Sequence, residues 1–107
     1  MRKFVWLSFD LGVQGDYEGM YDFLDQHQAK ECGDSLACFW YEATGDLVDT
    51  MTIAIHNHMD IGPKARIYLI WLEGGKLRGK FLFGKRKNPL WAGHAVTGET
   101  ETDSSDE

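Results

Sequence analysis

Asp10 is the residue whose position most clearly suggests chemistry. It directly follows Phe4 to Phe9, an apolar and aromatic run that is typical of a strand in the middle of a sheet. A carboxylate at the end of such a strand can bind a hard cation such as Mg²⁺. It can also accept backbone N–H groups from a turn, and the segment from Gly12 to Gly15 is a suitable turn. The sequence leaves both roles open.

Two further polar features lie near this strand in the predicted fold. Asp34 and Ser35 follow Gly33, so they either add polar groups near Asp10 or form the turn that bends the chain. Asp16 precedes a helical pattern, and we expect it to cap that helix. We therefore take Asp10 and Ser35 as the candidate catalytic residues and Asp10 as the candidate metal ligand.

Basic side chains are concentrated in one stretch of twelve positions. It contains six of the eleven Lys and Arg residues: Lys76, Arg78, Lys80, Lys85, Arg86 and Lys87. Such a stretch can follow a phosphate backbone, with Trp71 on the same face as a stacking partner. It can also be the charged surface of an edge hairpin, since edge strands use Lys to resist aggregation. We treat these six residues as candidate nucleic-acid contacts.

The only cysteines, Cys32 and Cys38, lack the paired C-x-x-C spacing of a zinc site. Two cysteines are also too few for a scaffold stabilised by several disulfides. We expect both to be reduced thiols, with a redox pair as the alternative, because disulfides are rare in cytosolic proteins.

Two helices are expected to position these residues. In the first, Tyr17, Met20, Tyr21 and Leu24 share one face, and the pattern ends near Gln28. The second begins after Thr44-Gly45-Asp46 and is stopped by Gly62-Pro63. Its apolar stripe consists of Val48, Met51, Ile55 and Met59.

The remaining patterns predict strands. Residues 29–42 indicate a hairpin or a strongly bulged strand, with Gly33-Asp34 at the bend. Arg66 to Leu72 and Lys76 to Phe83 predict a hairpin closed by Gly74-Gly75. In that hairpin we expect Phe81 and Phe83 to lie on the face opposite to Arg78 and Lys80. The fold class is therefore α+β, with two helices on one face of a four- to five-stranded, mostly antiparallel sheet.

Charge and length define the domain organisation. The net charge of −6 is concentrated at the end of the chain, and 107 residues suffice for one domain. The acidic residues of the last nine positions are Glu99, Glu101, Asp103, Asp106 and Glu107. We predict a single domain over residues 1–95, in which the segment from Asn88 to His94 docks loosely through Trp91. For residues 96–107 we predict a disordered acidic tail.

The N-terminal residues show no signal-peptide pattern. Met1-Arg2-Lys3 leads directly into the first strand, and no apolar run approaches the roughly 18 residues that span a bilayer. We therefore expect a cytoplasmic protein without a membrane partner.

The arrangement of these segments resembles two known families. The matching features are a strand ending in Ser8-Phe9-Asp10-Leu11, a bent strand with Gly33-Asp34-Ser35-Leu36 and a strand Ala65-Arg66-Ile67-Tyr68-Leu69, separated by helices. They resemble the virulence-associated protein D family and the small second protein of the CRISPR-associated set. The resemblance covers residues 3–72. It implies a ferredoxin-like fold, a homodimer and, as in several members, a metal-dependent endoribonuclease that uses the first-strand aspartate, here Asp10.

The sequence therefore supports a leading hypothesis and two alternatives. The leading one is a homodimeric, toxin-type endoribonuclease with Mg²⁺ at Asp10 and RNA along Lys76 to Lys87. The first alternative is a non-catalytic dimeric binding module, such as a phage or mobile-element protein that engages nucleic acid, a nucleotide or a host defence complex. The second is an adaptor that binds a protein through an exposed aromatic sheet face.

Overall fold

A computed structural model of the protein describes residues 1–95. The elements are β1 (Arg2–Asp10), α1 (Tyr17–Gln26), β2 (Lys30–Gly33), β3 (Leu36–Glu42), α2 (Leu47–His58), β4 (Arg66–Glu73) and β5 (Lys76–Phe83). The predicted α+β class is confirmed, since residues 1–95 form two helices and a five-stranded antiparallel sheet in the order β2-β3-β1-β4-β5. The predicted tail, residues 96–107, lies outside the described residues.

One face of the sheet, the helix face, packs against both helices. Alternate residues of the three central strands point to this face, and their side chains are buried with those of α1 and α2. The central members are Val5, Leu7, Phe9, Phe39, Ile67 and Leu69 from the sheet, with Met20, Phe23, Met51 and Ile55 from the helices. Burial of these side chains is the main force that holds the helices on the sheet.

The opposite face, which we call the open face, has no helix packed on it among the described residues. Its members follow from the strand register: Phe4, Trp6, Ser8, Asp10, Leu36, Cys38, Trp40, Arg66, Tyr68, Ile70, Leu72, Leu77, Gly79 and Phe81. Their side chains are half-buried or exposed. Two aromatic groups lie on this face, Phe4 with Trp6 and Trp40, and Tyr68 with Phe81.

Both helices begin where a carboxylate caps them. Asp16 accepts the backbone N–H of Gly19 at 2.9 Å, as predicted, and Asp46 accepts that of Asp49 at 3.0 Å. Helix α2 ends at His58, four residues before the predicted stop at Gly62. Its cap residue Met59 has extended backbone and is still buried in the core.

The hairpin of β4 and β5 has the predicted turn, but a bulge changes one end of its register. Glu73 lies opposite Lys76 and Tyr68 opposite Phe81, as the two-residue turn requires. The register then shifts between Ile67 and Tyr68, so Phe83 lies opposite the buried Ile67. The prediction that Phe83 shares a face with Phe81 is therefore wrong.

Among the described residues, the segment around Trp91 does not dock on the domain as expected. Leu90 is fully exposed and Trp91 is 77% exposed. Trp91 is therefore not the anchor that was predicted for residues 88–94. Among residues 1–95, neither helix combines the length and apolar character needed to cross a membrane.

Candidate functional site at the end of the central strand

Asp10 ends β1, which is the central strand of the sheet, and projects from the open face. Its side chain is 58% exposed. It lines a cleft of about 780 Å³ formed with residues 11–16 and 60–64, and a second cavity of about 450 Å³ on the open face. The carboxylate is therefore accessible from both sides of the strand end.

Two neighbours contact the Asp10 carboxylate. Oδ1 accepts the backbone N–H of Gly12 at 3.3 Å, so the predicted turn interaction is present as one long hydrogen bond. Oδ2 lies 3.9 Å from the guanidinium of Arg66, the residue directly opposite on β4. Arg66 Nε is buried without a hydrogen-bond partner among residues 1–95. The guanidinium next to Asp10 therefore retains unused hydrogen-bonding capacity.

Two of the last three candidate basic residues share a cavity with Asp10. Arg86 lines the 450 Å³ cavity, with its guanidinium 5.8 Å from the centre of the Phe81 ring, and Lys87 lines the 780 Å³ cleft. Lys85 lines a neighbouring groove of about 590 Å³, which Lys64, Arg66, Arg86 and Lys87 also line. The strand end therefore combines one accessible carboxylate with several cations.

The first three candidate basic residues are not part of this cluster. Lys76, Arg78 and Lys80 lie opposite Glu73, Trp71 and Leu69, which places them on the side of the sheet that carries the helices. Trp71 shares that side, as predicted, but it is only 8% exposed and donates its indole N–H to Glu73 at 2.8 Å. Its ring is therefore not available to stack on a base.

Ser35 and Asp34 lie near the strand end without sharing the cavities of Asp10. The backbone N–H of Phe9 donates to the carbonyl of Ser35 at 3.0 Å, which brings that turn beside β1. The Ser35 side chain is exposed and lines neither Asp10 cavity. Asp34 lines a separate cavity of about 250 Å³ on the helix side. Their position fits the turn role that the sequence left open.

Asp16 serves two structural roles at the edge of the cleft. Its carboxylate accepts the N–H of Asp60 at 3.0 Å and that of Gly19 at 2.9 Å. These bonds, the one from Asp60 first, lower the pKa of Asp16 below its ordinary value of 3.8. The carboxylate thus joins the start of α1 to the loop between α2 and β4.

The fit to a metal ion depends on Asp10. Within the part of the chain that the structure describes, no three His, Cys, Asp or Glu side chains are grouped so that they could hold a metal. The exposed oxygen atoms of Asp10 are suitable ligands for Mg²⁺, but Mg²⁺ binds proteins through one or two carboxylates together with water or phosphate. One copy of the chain therefore offers Asp10 as a single accessible carboxylate ligand for such an ion.

Comparison with family models, curated proteins and solved structures gives no match.

Sequence reasoning missed Arg66 and Lys64, which line the cavities around Asp10. The available signal for Arg66 was its position at the start of a strand that pairs with the end of β1, because antiparallel pairing brings those positions together.

Proposed function

We propose that the protein has a ferredoxin-like topology with one additional strand. In support, α1 connects β1 to β2, α2 connects β3 to β4, and these four strands lie in the order β2-β3-β1-β4. Strand β5 extends the sheet at the β4 edge through a hairpin. The finding that supports this topology most is that the two β-α-β units leave β1 and β3 adjacent at the centre.

The protein acts as a homodimer whose two open faces pack together. Trp40, Leu72 and Leu77 are 51%, 55% and 68% exposed, beside the aromatic side chains of the same face. Five strands about 4.8 Å apart and about 25 Å long give a flat face of roughly 600 Å². The surface of the projecting side chains adds to this area. This is close to the roughly 800 Å² per partner of a standard interface. A second copy of the chain is therefore a suitable cover.

The dimer is a metal-dependent endoribonuclease of cytoplasmic, toxin type. The single observation that carries this proposal is the accessible Asp10 carboxylate at the end of the central strand, between two cavities. The Asp10 side chains of two copies would together hold one Mg²⁺. A bound Mg²⁺ supplies a Lewis acid and an activated water for phosphodiester cleavage. Arg86 and Lys87 would hold the phosphates of the RNA beside it.

One observation favours a second candidate, a dimeric nucleic-acid-binding module without cleavage. Arg66 lies 3.9 Å from Asp10 and partly neutralises the carboxylate. A guanidinium in this position competes with a cation and attracts a phosphate instead. In this version the cluster of Arg66, Arg86 and Lys87 binds the backbone, and Asp10 only positions Arg66.

The experiment is RNA cleavage by the purified chain, with Mg²⁺ or with a chelator, compared between the wild type and Asp10→Asn. Removing a direct ligand should reduce cleavage by more than about 100-fold, because even outer-shell partners of a metal contribute about 10- to 100-fold. Asp34→Asn is the matched control, since Asp34 is exposed and lies off the site. Cleavage that survives in Asp10→Asn or in chelator would exclude a metal-dependent nuclease that uses Asp10.

RNA binding measured in the same samples tests the second candidate. If the wild type binds RNA without cleaving it, the double variant Arg86→Ala and Lys87→Ala should lower the salt dependence of binding, by about 0.7 in slope for each phosphate that is no longer neutralised. Arg78→Ala with Lys80→Ala should change it less, because those side chains lie away from Asp10. An equal effect of the two double variants would contradict the assignment of RNA to the Asp10 end.

A further inference from the structure

The two cysteines of the chain meet across the β2–β3 hairpin. The Sγ atoms of Cys32 and Cys38 are 3.4 Å apart. Lys30 lies opposite Cys38 and Glu31 opposite Ala37, and the register then shifts so that Gly33 lies opposite Leu36. Cys32 is therefore the extra residue of a β-bulge, which bends β2 and brings the two thiols together.

Closing the remaining gap requires little movement. A disulfide bond is about 2.05 Å long, so the sulfur atoms have to approach by about 1.4 Å. All four residues of β2 are exposed, and within residues 1–95 the strand pairs with β3 alone. An edge strand with so few buried contacts can shift at low cost.

The two thiols differ in how accessible they are. Cys32 is exposed, whereas Cys38 is half-buried. A cavity of about 280 Å³ beside Cys38, lined by Lys30 and Trp40, leaves room for a small reactant. The hydrogen bond to Cys38, followed by desolvation and by the charges of Cys38 and Glu31, raises the pKa of Cys32 above its ordinary value of 9.0. The exposed thiol is therefore protonated at neutral pH and exchanges slowly.

We propose that Cys32 and Cys38 are a paired dithiol that small disulfides convert into an intramolecular disulfide, slowly at neutral pH and faster at alkaline pH. The Cys32 thiolate attacks one sulfur of a small disulfide, whose S–S bond breaks and releases the first small thiolate. The Cys38 thiolate then attacks Sγ of Cys32, and the second small thiolate leaves. Two electrons pass from the protein to the small disulfide, and the two protons of the cysteine thiols are taken up by the two small thiols.

The product ties the edge strand to its neighbour. Cys38 lies on the open face directly opposite Trp6, so the bond forms at the margin of that face. The link holds β2 against β3 in the bulged register. This inference concerns the hairpin alone and does not depend on the proposed nuclease activity.

The experiment treats the full chain with oxidised glutathione at mildly alkaline pH and follows free thiols and intact mass. We expect both free thiols to disappear, the mass to fall by two hydrogen atoms, a digest to join the peptides of Cys32 and Cys38, and dithiothreitol to reverse the change. Unreacted thiols, a persistent glutathione adduct or a disulfide between two chains would overturn the proposal.

Two variants test the order of the steps. Cys38→Ser should retain a stable glutathione adduct on Cys32, since no second thiol is present to displace it. Cys32→Ser should react more slowly, because the remaining thiol is half-buried. Faster reaction of Cys32→Ser than of Cys38→Ser would show that Cys38 is the attacking thiol and would contradict the assignment. Circular dichroism of both variants checks that the fold is retained.

Discussion

Asp10 differs from Asp16, another carboxylate of the 780 Å³ cleft, in how much of its bonding capacity is free. Asp16, in the same cleft, accepts two backbone N–H groups at 3.0 Å or less, so both of its oxygen atoms are engaged. Asp10 accepts one N–H at 3.3 Å and is more than half exposed. A ligand therefore competes with fewer hydrogen bonds at Asp10 than at Asp16, which is why the proposed chemistry is placed at Asp10.

The structural role of Asp16 predicts a specific dependence on pH. Its folded-state pKa is lowered, so its ionised form stabilises the fold above the unfolded value of 3.8, and this contribution is lost as pH falls through the folded pKa. Asp16→Asn should therefore lower the melting temperature above pH 4, and the difference from wild type should narrow below pH 3.8. Thermal unfolding followed by circular dichroism across this range is the measurement.

Asp46→Asn is the matched control for Asp16, because Asp46 also caps a helix. Among residues 1–95, its carboxylate accepts the N–H of Asp49 without a bond to a second segment. The control should cost less stability than Asp16→Asn at neutral pH. An equal cost, or a difference from wild type that stays constant down to pH 2, would contradict the role given to Asp16.

At the scale of elements, the two helices approach each other where α1 carries Gly19. A Cβ atom added to Gly19 would lie 2.7 Å from Cβ of Met59 and 2.5 Å from the Asp16 carboxylate. Contacts this short require a shift of the packed segments. The missing side chain of Gly19 therefore lets α1 approach the end of α2.

This contact predicts that Gly19→Ala destabilises the protein. Alanine is favoured over glycine in a helix by up to about 1 kcal/mol, whereas overpacking costs about 1–3 kcal/mol, so the net effect should be unfavourable. Urea unfolding gives the free energy. Gly62→Ala is the control, since nothing lies within 4 Å of its added Cβ, and it should change stability little. A stabilised Gly19→Ala protein would show that the helices do not meet at this point.

Much of the element structure was predictable from the sequence because apolar spacing and turn residues are local signals. Gly74-Gly75 fixed the β4–β5 turn, and the pattern from Tyr17 onwards marked α1. The bulge between Ile67 and Tyr68 was not predictable, since it follows from how the two strands fit the core and leaves no local pattern. It moved Phe83 to the other face.

The candidate site was predictable only in part, for the same physical reason. Asp10 could be identified from the end of an apolar run. Its pairing with Arg66, 56 positions along the chain, depends on the register between β1 and β4. Tertiary packing sets that register. The basic stretch looked continuous in sequence, but Arg78 and Arg86 lie in different surroundings because the sheet separates them.

At the scale of the whole molecule, the open face accounts for the proposed dimer. We expect the wild type to sediment as two chains. Phe81→Glu would place a charge on this face next to Tyr68 and should weaken association by about 30-fold or more, as for a residue at the centre of an interface. Sedimentation velocity over a range of concentrations is the measurement.

Ile53→Glu is the control for the dimer prediction. Ile53 is 60% exposed on α2, so the substitution adds the same charge at an exposed apolar residue away from the open face. It should leave the sedimentation coefficient unchanged. Equal weakening by both variants would mean that the charge, and not its place on the sheet, controls association.

The proposal that two Asp10 carboxylates share one ion is tested most directly by counting bound metal. Electron paramagnetic resonance of Mn²⁺, which replaces Mg²⁺ at oxygen-ligand sites, measures the free ion as protein is added. We predict one bound Mn²⁺ for every two chains in the wild type and loss of that binding in Asp10→Asn. One ion per chain, or the same binding in Asp10→Asn, would contradict the shared site.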